Sequence, residues 1–263
     1  MTAMLMSTLT LLGLAALLIL TTEAGYRSYL WVRRRRDMTS EEGSSFVMSA
    51  ALTLLALLVG FTFGMAQSNF ELRRDLVTHE ANAISTAHLR HQLLDDAQRR
   101  DLNGLMAQYI KVRMRFSAAR GDREALEAVG AQTARLQARI WEATDRALET
   151  PAGQRISVPL LTATNEMFDD AERRYAAFDA KIPPRILRSL LAYALGSALL
   201  VGLTLAATGS RHFLSTSGLF VLVALALSLI IDLDNGAAGL ITTSQAPMQR
   251  VAAVIDAEMR AAP

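Results

Sequence analysis

The chain has 263 residues, of which 51% are hydrophobic, 20% charged and 6% aromatic. It carries no cysteine, which excludes a disulfide scaffold, thiolate metal sites and thiol catalysis. The formal net charge of +2 is too small to suggest nucleic-acid binding.

The first element is an apolar run from Met4 to Thr22. A helix rises ~1.5 Å per residue, so ~20 apolar residues span a ~30 Å hydrocarbon core. No basic side chain precedes the run, whereas Arg27 and Arg33–Arg36 follow it. A cleaved signal peptide has the reverse order, so a retained membrane helix is expected. The short loop from Glu23 to Ser45 carries these arginines. The positive-inside rule therefore predicts that this loop is cytoplasmic.

The second run, Phe46 to Ala66, then exits. It closes on Gly60-Phe61-Thr62-Phe63-Gly64, for which two readings stand side by side. Gly60 and Gly64, four residues apart, would let another helix pack closely. Alternatively the helix lines a pore, with Phe61, Phe63 or Met65 as a hydrophobic constriction that gates by dewetting. No Gly or Pro interrupts the chain from Gln67 to Leu94, so the helix is predicted to continue unbroken to about Leu94.

On that extension His79, Asn82, Thr86 and Arg90 share one face, and Glu80, Ile84, Ala87 and His91 a neighbouring one. Polar pairing inside a bundle is one reading. The functional one is a wet vestibule in which Glu80, Asn82, Thr86 and Arg90 meet ions. The adjacent His79 and Glu80, and the His88-x-x-His91 spacing, do not reproduce the i, i+4 geometry of a helical zinc site, so no metal is expected.

Beyond it, Asp95 and Asp96 can cap a helix carrying Leu102, Leu105, Met106, Tyr109, Ile110 and Phe116, which Gly121 breaks. Asp122 is a good N-cap for the next. That helix sets Leu126, Val129, Thr133, Leu136 and Ile140 in a heptad-like seam. Thr150–Gly153 reads as a turn, and Pro159 suits the first turn of a helix with Met167, Phe168, Ala171, Tyr175 and Phe178 on its apolar face. Pro183-Pro184 ends that helix. Two further membrane runs follow, Leu187 to Ala207 and Leu214 to Ile231. The second ends on Asp232 and Asp234, which would form an acidic ring in an oligomer or sit as ordinary charges at a helix end. Val251, Ile255 and Met259 predict a short amphipathic helix in the tail.

The expected fold is therefore an all-α membrane protein. A transmembrane hairpin (1–66) and a second (187–234) flank an extramembrane helical domain (67–186), with a tail at 235–263. By the loop charges the helical domain lies outside, in the periplasm of a bacterial inner membrane. No nucleophile elbow, P-loop or dinucleotide fingerprint is present, so neither an enzyme nor a cofactor is expected.

Gly60-Phe61-Thr62-Phe63, then Arg73-Arg74, then Glu80-Ala81-Asn82-Ala83-Ile84 with Thr86-Ala87 and Leu89-Arg90, resemble the bestrophin-like family of bacterial membrane proteins. Asp232-Leu233-Asp234, Gly239-Leu240-Ile241 and Pro247 are similar to that family's C-terminal pattern. The resemblance implies kinship with bestrophins, which are oligomeric anion channels. It implies a homo-oligomer, a pentamer by analogy, with the bilayer and inorganic ions as partners. Bestrophins keep the domain between their hairpins in the cytoplasm, whereas Arg33–Arg36 predict the reverse here. Two functions follow: a homo-oligomeric channel lined by the second helix, or a non-transporting sensor or scaffold whose helical domain binds a partner.

Overall fold

The computed structural model describes residues 2–34, 44–119, 122–209, 212–235 and 241–261. These form α1 (Thr2–Arg33), α2 (Ser44–His91), α3 (Asp96–Ala119), α4 (Arg123–Leu148), α5 (Pro151–Arg155), α6 (Ser157–Asp179), α7 (Pro184–Ala207), α8 (Phe213–Asn235) and α9 (Ala246–Ala261). There is no strand among the described residues. The chain divides into two compact units. One comprises Met1–Asn69 with Lys181–Asn235, the other Phe70–Ala180 with Thr242–Pro263.

Four helices are long and apolar enough to cross a membrane. Leu12, Leu20 and Leu222 are 59, 66 and 65% exposed. A water-soluble surface rarely carries so much contiguous apolar area; here it faces hydrocarbon, and the chain is a membrane protein. α1 packs against α7 and α8 around the buried Leu18, Ala194, Ala198, Phe220 and Ala224. With no hydrophobic force between helices in lipid, close approach of small residues has to hold them together. It does so at two glycines. A Cβ on Gly25 would collide with the Leu199 backbone, and one on Gly202 with the backbones of Thr22 and Tyr26.

The sequence reading ended the first helix at Thr22, but α1 runs on to Arg33. Glu23 accepts a hydrogen bond from Arg27 Nε one turn later (2.8 Å), and Gly25, a weak helix former, is held by its fit to α7. Of the arginine cluster, Arg35 and Arg36 lie outside the described residues.

The second unit is a helical bundle. α2 does extend as one helix from Ser44 to His91, with no loop between Gln67 and Glu80. Its inner face, Val77, Ala81, Ile84 and Ala87, packs with Leu102, Met106, Ile110, Phe116, Ile140, Leu160 and Met167 in one apolar core. Each large side chain taken fully out of water contributes roughly 1.5–3 kcal/mol.

The local signals explain where the helices begin. Asp122 caps α4, accepting from the backbone N–H groups of Glu124 (3.0 Å) and Ala125 (3.3 Å). The break expected at Gly121 falls outside the described residues. Thr150–Gly153 is no simple turn. Thr150 Oγ1 accepts from Gly153 N–H (3.1 Å), and Pro151 at the first helical position starts the one-turn helix α5. The tail helix α9 buries Met248 and Ile255 in the core, while Met259 stays 41% exposed.

Candidate functional site

Within the membrane unit, α2 buries Leu55, Thr62 and Ala66. On the neighbouring face Leu54, Leu57, Phe61 and Met65 are 48, 51, 65 and 43% exposed, and Phe63 on the far side is 38% exposed. Among the described residues, apart from each glycine's chain neighbours and the helix's own backbone, no atom lies within 4 Å of where a Cβ on Gly60 or Gly64 would sit. The helix packing expected at these two glycines is therefore not made inside the subunit. Gly25 and Gly202 make it instead.

In the helical unit, the faces of α2 divide as their spacing requires. His79, Asn82, Thr86 and Arg90 are exposed, while Glu80, Ile84, Ala87 and His91 are buried. Glu80 is 0% exposed and sits between two arginines that are themselves buried, Arg113 of α3 and Arg174 of α6. Arg113 Nε donates to Glu80 Oε1, and a terminal nitrogen of Arg174 donates to Glu80 Oε2 at 2.6 Å. Each arginine makes one further hydrogen bond. Arg113 reaches the carbonyl of Ala171 (3.3 Å), and Arg174 reaches Gln245 Oε1 (2.9 Å).

The two guanidinium carbons lie 5.0 and 5.3 Å from the ring centre of Phe116, within cation–π range. Burial works against the charge of Arg113, but attraction to Glu80 and the hydrogen bond with it prevail, and its pKa lies above the ordinary arginine value. Glu80, expected as an ion-contacting vestibule residue, is thus a clamp that ties α2, α3, α6 and the segment before α9 together. A fully buried carboxylate with both oxygens engaged does not meet ions in a vestibule.

Asp232 and Asp234 also depart from the acidic-ring reading. They are 8 and 6% exposed. Asp234 Oδ1 accepts the backbone N–H of Ile182 (2.8 Å), and Asp232 Oδ2 that of Ile241 (3.3 Å). Both residues lie within α8, which runs four residues beyond Ile231 to Asn235. They serve as local anchors for the chain entering α7 and leaving α8.

His88 and His91 are buried, and His88 Nε2 lies 2.7 Å from Glu258 Oε2 of α9. Among the described residues no three His, Cys, Asp or Glu side chains converge to hold a metal ion.

The family model of the Bestrophin-like domain matches residues 15–248. This chain belongs to the bestrophin-like family. The bestrophin-like fold is also similar to solved structures of a bacterial bestrophin homologue from Klebsiella pneumoniae. One match has 14% identity, covers 94% of this chain and 96% of that one, and has a TM-score of 0.68. A point mutant of that homologue matches at 14% identity over 95% and 99% of the two chains, with a TM-score of 0.69. Another matches at 15% identity over 93% and 96%, with a TM-score of 0.65. No curated protein matches the sequence.

Sequence reasoning missed Arg113, Arg174 and Gln245. A signal for the arginines was present. Arg113 falls three residues from both Ile110 and Phe116, and Arg174 three from Ala171 and four from Phe178. A charge on an apolar helix face calls for a buried partner.

Proposed function

We propose that this bestrophin-like chain assembles into a homo-oligomer that conducts ions, with α2 as the wall of the pathway. The observation that carries this reading is the bare face of α2. Phe61 shares it with Leu54, Leu57 and Met65, all exposed, while Leu55, Thr62 and Ala66 on the adjoining face are buried. An apolar helix face without a partner in its own chain is covered by lipid or by other copies. The glycines at 60 and 64, open on the same helix, suit close approach of a second copy. The same three- and four-residue spacing leads along the helix to the exposed Asn82, Thr86 and Arg90, which supply polar contacts for ions.

Phe61 and Phe63 are ~200° apart on a helix, so one of them faces an axis. The greater exposure of Phe61 and its apolar neighbours support Phe61 as the neck. An apolar neck excludes ions because they cannot shed water into it. Phe61→Ala is therefore expected to raise ion flux from liposomes of purified protein above that of the parent, at unchanged native mass. If the variant assembles normally and conducts no more than the parent, α2 is not the gate. The burial of Glu80 favours a scaffold reading for its own face of α2, and that reading would then extend to the whole helix.

The arginines after α1 support an inner-membrane orientation with Arg33–Arg36 cytoplasmic and the helical domain periplasmic. The chain has no cysteine, so single substitutions give clean labels. In intact cells an impermeant thiol reagent is expected to label Gln154→Cys and spare Ser40→Cys. The opposite pattern inverts the topology.

A further inference from the structure

α3 and α4 repeat one pattern on the faces they turn to each other. From Gln108 the chain reads Gln-x-x-Lys-Val-x-x-Arg, and from Gln132 it reads Gln-x-x-Arg-Leu-x-x-Arg. All eight spelled positions line a single groove of about 380 Å³. The positions i, i+3, i+4 and i+7 share one stripe of a helix, so each helix presents its whole set.

The helices run antiparallel. The Arg146–Asp101 ion pair (3.1 Å) joins the end of α4 to the start of α3, and Gln137 Nε2 meets the Tyr109 hydroxyl (3.5 Å) midway. This course sets the two patterns head to tail about the apolar floor of Val112 and Leu136, both buried. Arg139 falls at the Gln108 end of the groove and Arg115 at the Gln132 end.

The lining has four cations, two carboxamides and no carboxylate. Lys111 is tethered to Asp256 of α9 at 3.0 Å. Arg115, Arg135 and Arg139 are exposed and make no hydrogen bond or ion pair with the described residues. Outside the groove, Arg99, Arg123, Arg146 and Arg173 each hold an acidic partner, whereas Arg90, Arg100 and Arg155 are exposed without one and line no part of this groove. Three unpaired guanidiniums gathered around one concavity leave a positive potential that no carboxylate among the described residues pairs with. Concave shape also focuses such a field.

We infer that the α3–α4 groove is a binding site for a polyphosphoryl anion, a ligand carrying at least two phosphate groups. The planar forks of arginine match phosphate oxygens in pairs, and the head-to-tail arrangement sets one free arginine at each end, Arg139 and Arg115, with Arg135 between them. A single phosphate would engage one end only. A glutamine amide supplies a neutral donor at each end.

The test uses the full-length protein in nanodiscs of neutral phosphatidylcholine, titrated with inorganic tripolyphosphate, pyrophosphate and orthophosphate by calorimetry. Tripolyphosphate is expected to bind once per chain, more tightly than orthophosphate, and to weaken as salt is raised. Arg135→Gln with Arg139→Gln is expected to weaken it about tenfold or more, since each removes a charge-assisted contact. Arg100→Gln with Arg155→Gln removes the same charge from exposed positions outside the groove and is expected to leave binding within about twofold, as a few tenths of a kcal/mol would.

Discs containing cardiolipin, whose headgroup carries two phosphates, separate the two sources of phosphate. Unchanged tripolyphosphate affinity identifies a free anion as the occupant. Competition that vanishes in the Arg135/Arg139 variant identifies a lipid headgroup. The inference is overturned if tripolyphosphate does not bind, as a groove covered by a second copy would give, or if both charge variants weaken it equally.

Discussion

Glu80→Gln is expected to destabilise the helical unit by about 3–5 kcal/mol, the cost of breaking a buried ion pair from one side. Both guanidiniums donate to this one carboxylate, and both arginines are almost wholly inaccessible to water. Glutamine keeps the shape but removes the charge, and it cannot accept from both arginines with two oxygens. Net stabilities of domains are only ~5–15 kcal/mol, so the loss is a large share of the total. The measurement is thermal unfolding of detergent-purified protein, followed by far-ultraviolet circular dichroism. A replacement of all three groups, Glu80→Met with Arg113→Met and Arg174→Met, is expected to recover much of the loss, because no charge is then left stranded. A Glu80→Gln protein that melts with the parent would show that the clamp contributes little, and would return Glu80 to an ion-contacting role.

Gly202→Val is expected to disrupt the membrane unit, while Gly60→Val leaves a single chain's fold intact. At Gly202 the added atoms meet the α1 backbone around Thr22 and Tyr26, and backbone cannot step aside as a side-chain tip can. Overpacking of this kind typically costs about 1–3 kcal/mol, and more where a helix must move. At Gly60 there is open space within the subunit. Size-exclusion profiles of the two variants in detergent separate these cases. Gly202→Val should give aggregated or little folded protein. Gly60→Val should stay folded, and should lose its oligomer if copies meet there. Equal tolerance of valine at both positions would contradict the packing of α1 on α7.

These two sites also show how far the sequence carries. The continuity of α2 was legible because nothing between Gln67 and His91 breaks a helix, and the Asp122 cap because a short acceptor stands just before a helical run. The grouping of the α2 extension into two faces followed from three- and four-residue spacing alone, but which of them is buried did not. The partner of Glu80 did not. Its arginines are 33 and 94 residues away, and only the assembled bundle brings three helix faces to one point. Which glycines pack inside the subunit was hidden for a related reason. Gly60-x-x-x-Gly64 shows the spacing of a packing motif, whereas Gly25 and Gly202 are single small residues whose use depends on which helix lies opposite. Asp232 and Asp234 look like interfacial charges in a sequence, because the backbone N–H groups that they hold belong to loops whose course no periodicity encodes.

The role of α2 as a conducting wall is open to one direct measurement. In the cysteine-free chain, Phe61→Cys on α2 and Leu225→Cys on α8 are both exposed positions in the subunit, at 65 and 52%. Each variant is reconstituted in liposomes, and ion flux is recorded before and after a charged thiol reagent. Flux through Phe61→Cys is expected to change on modification, and flux through Leu225→Cys to stay the same. Flux that responds at Leu225→Cys and not at Phe61→Cys, or liposomes that stay ion-tight with either variant, would contradict a pathway lined by α2.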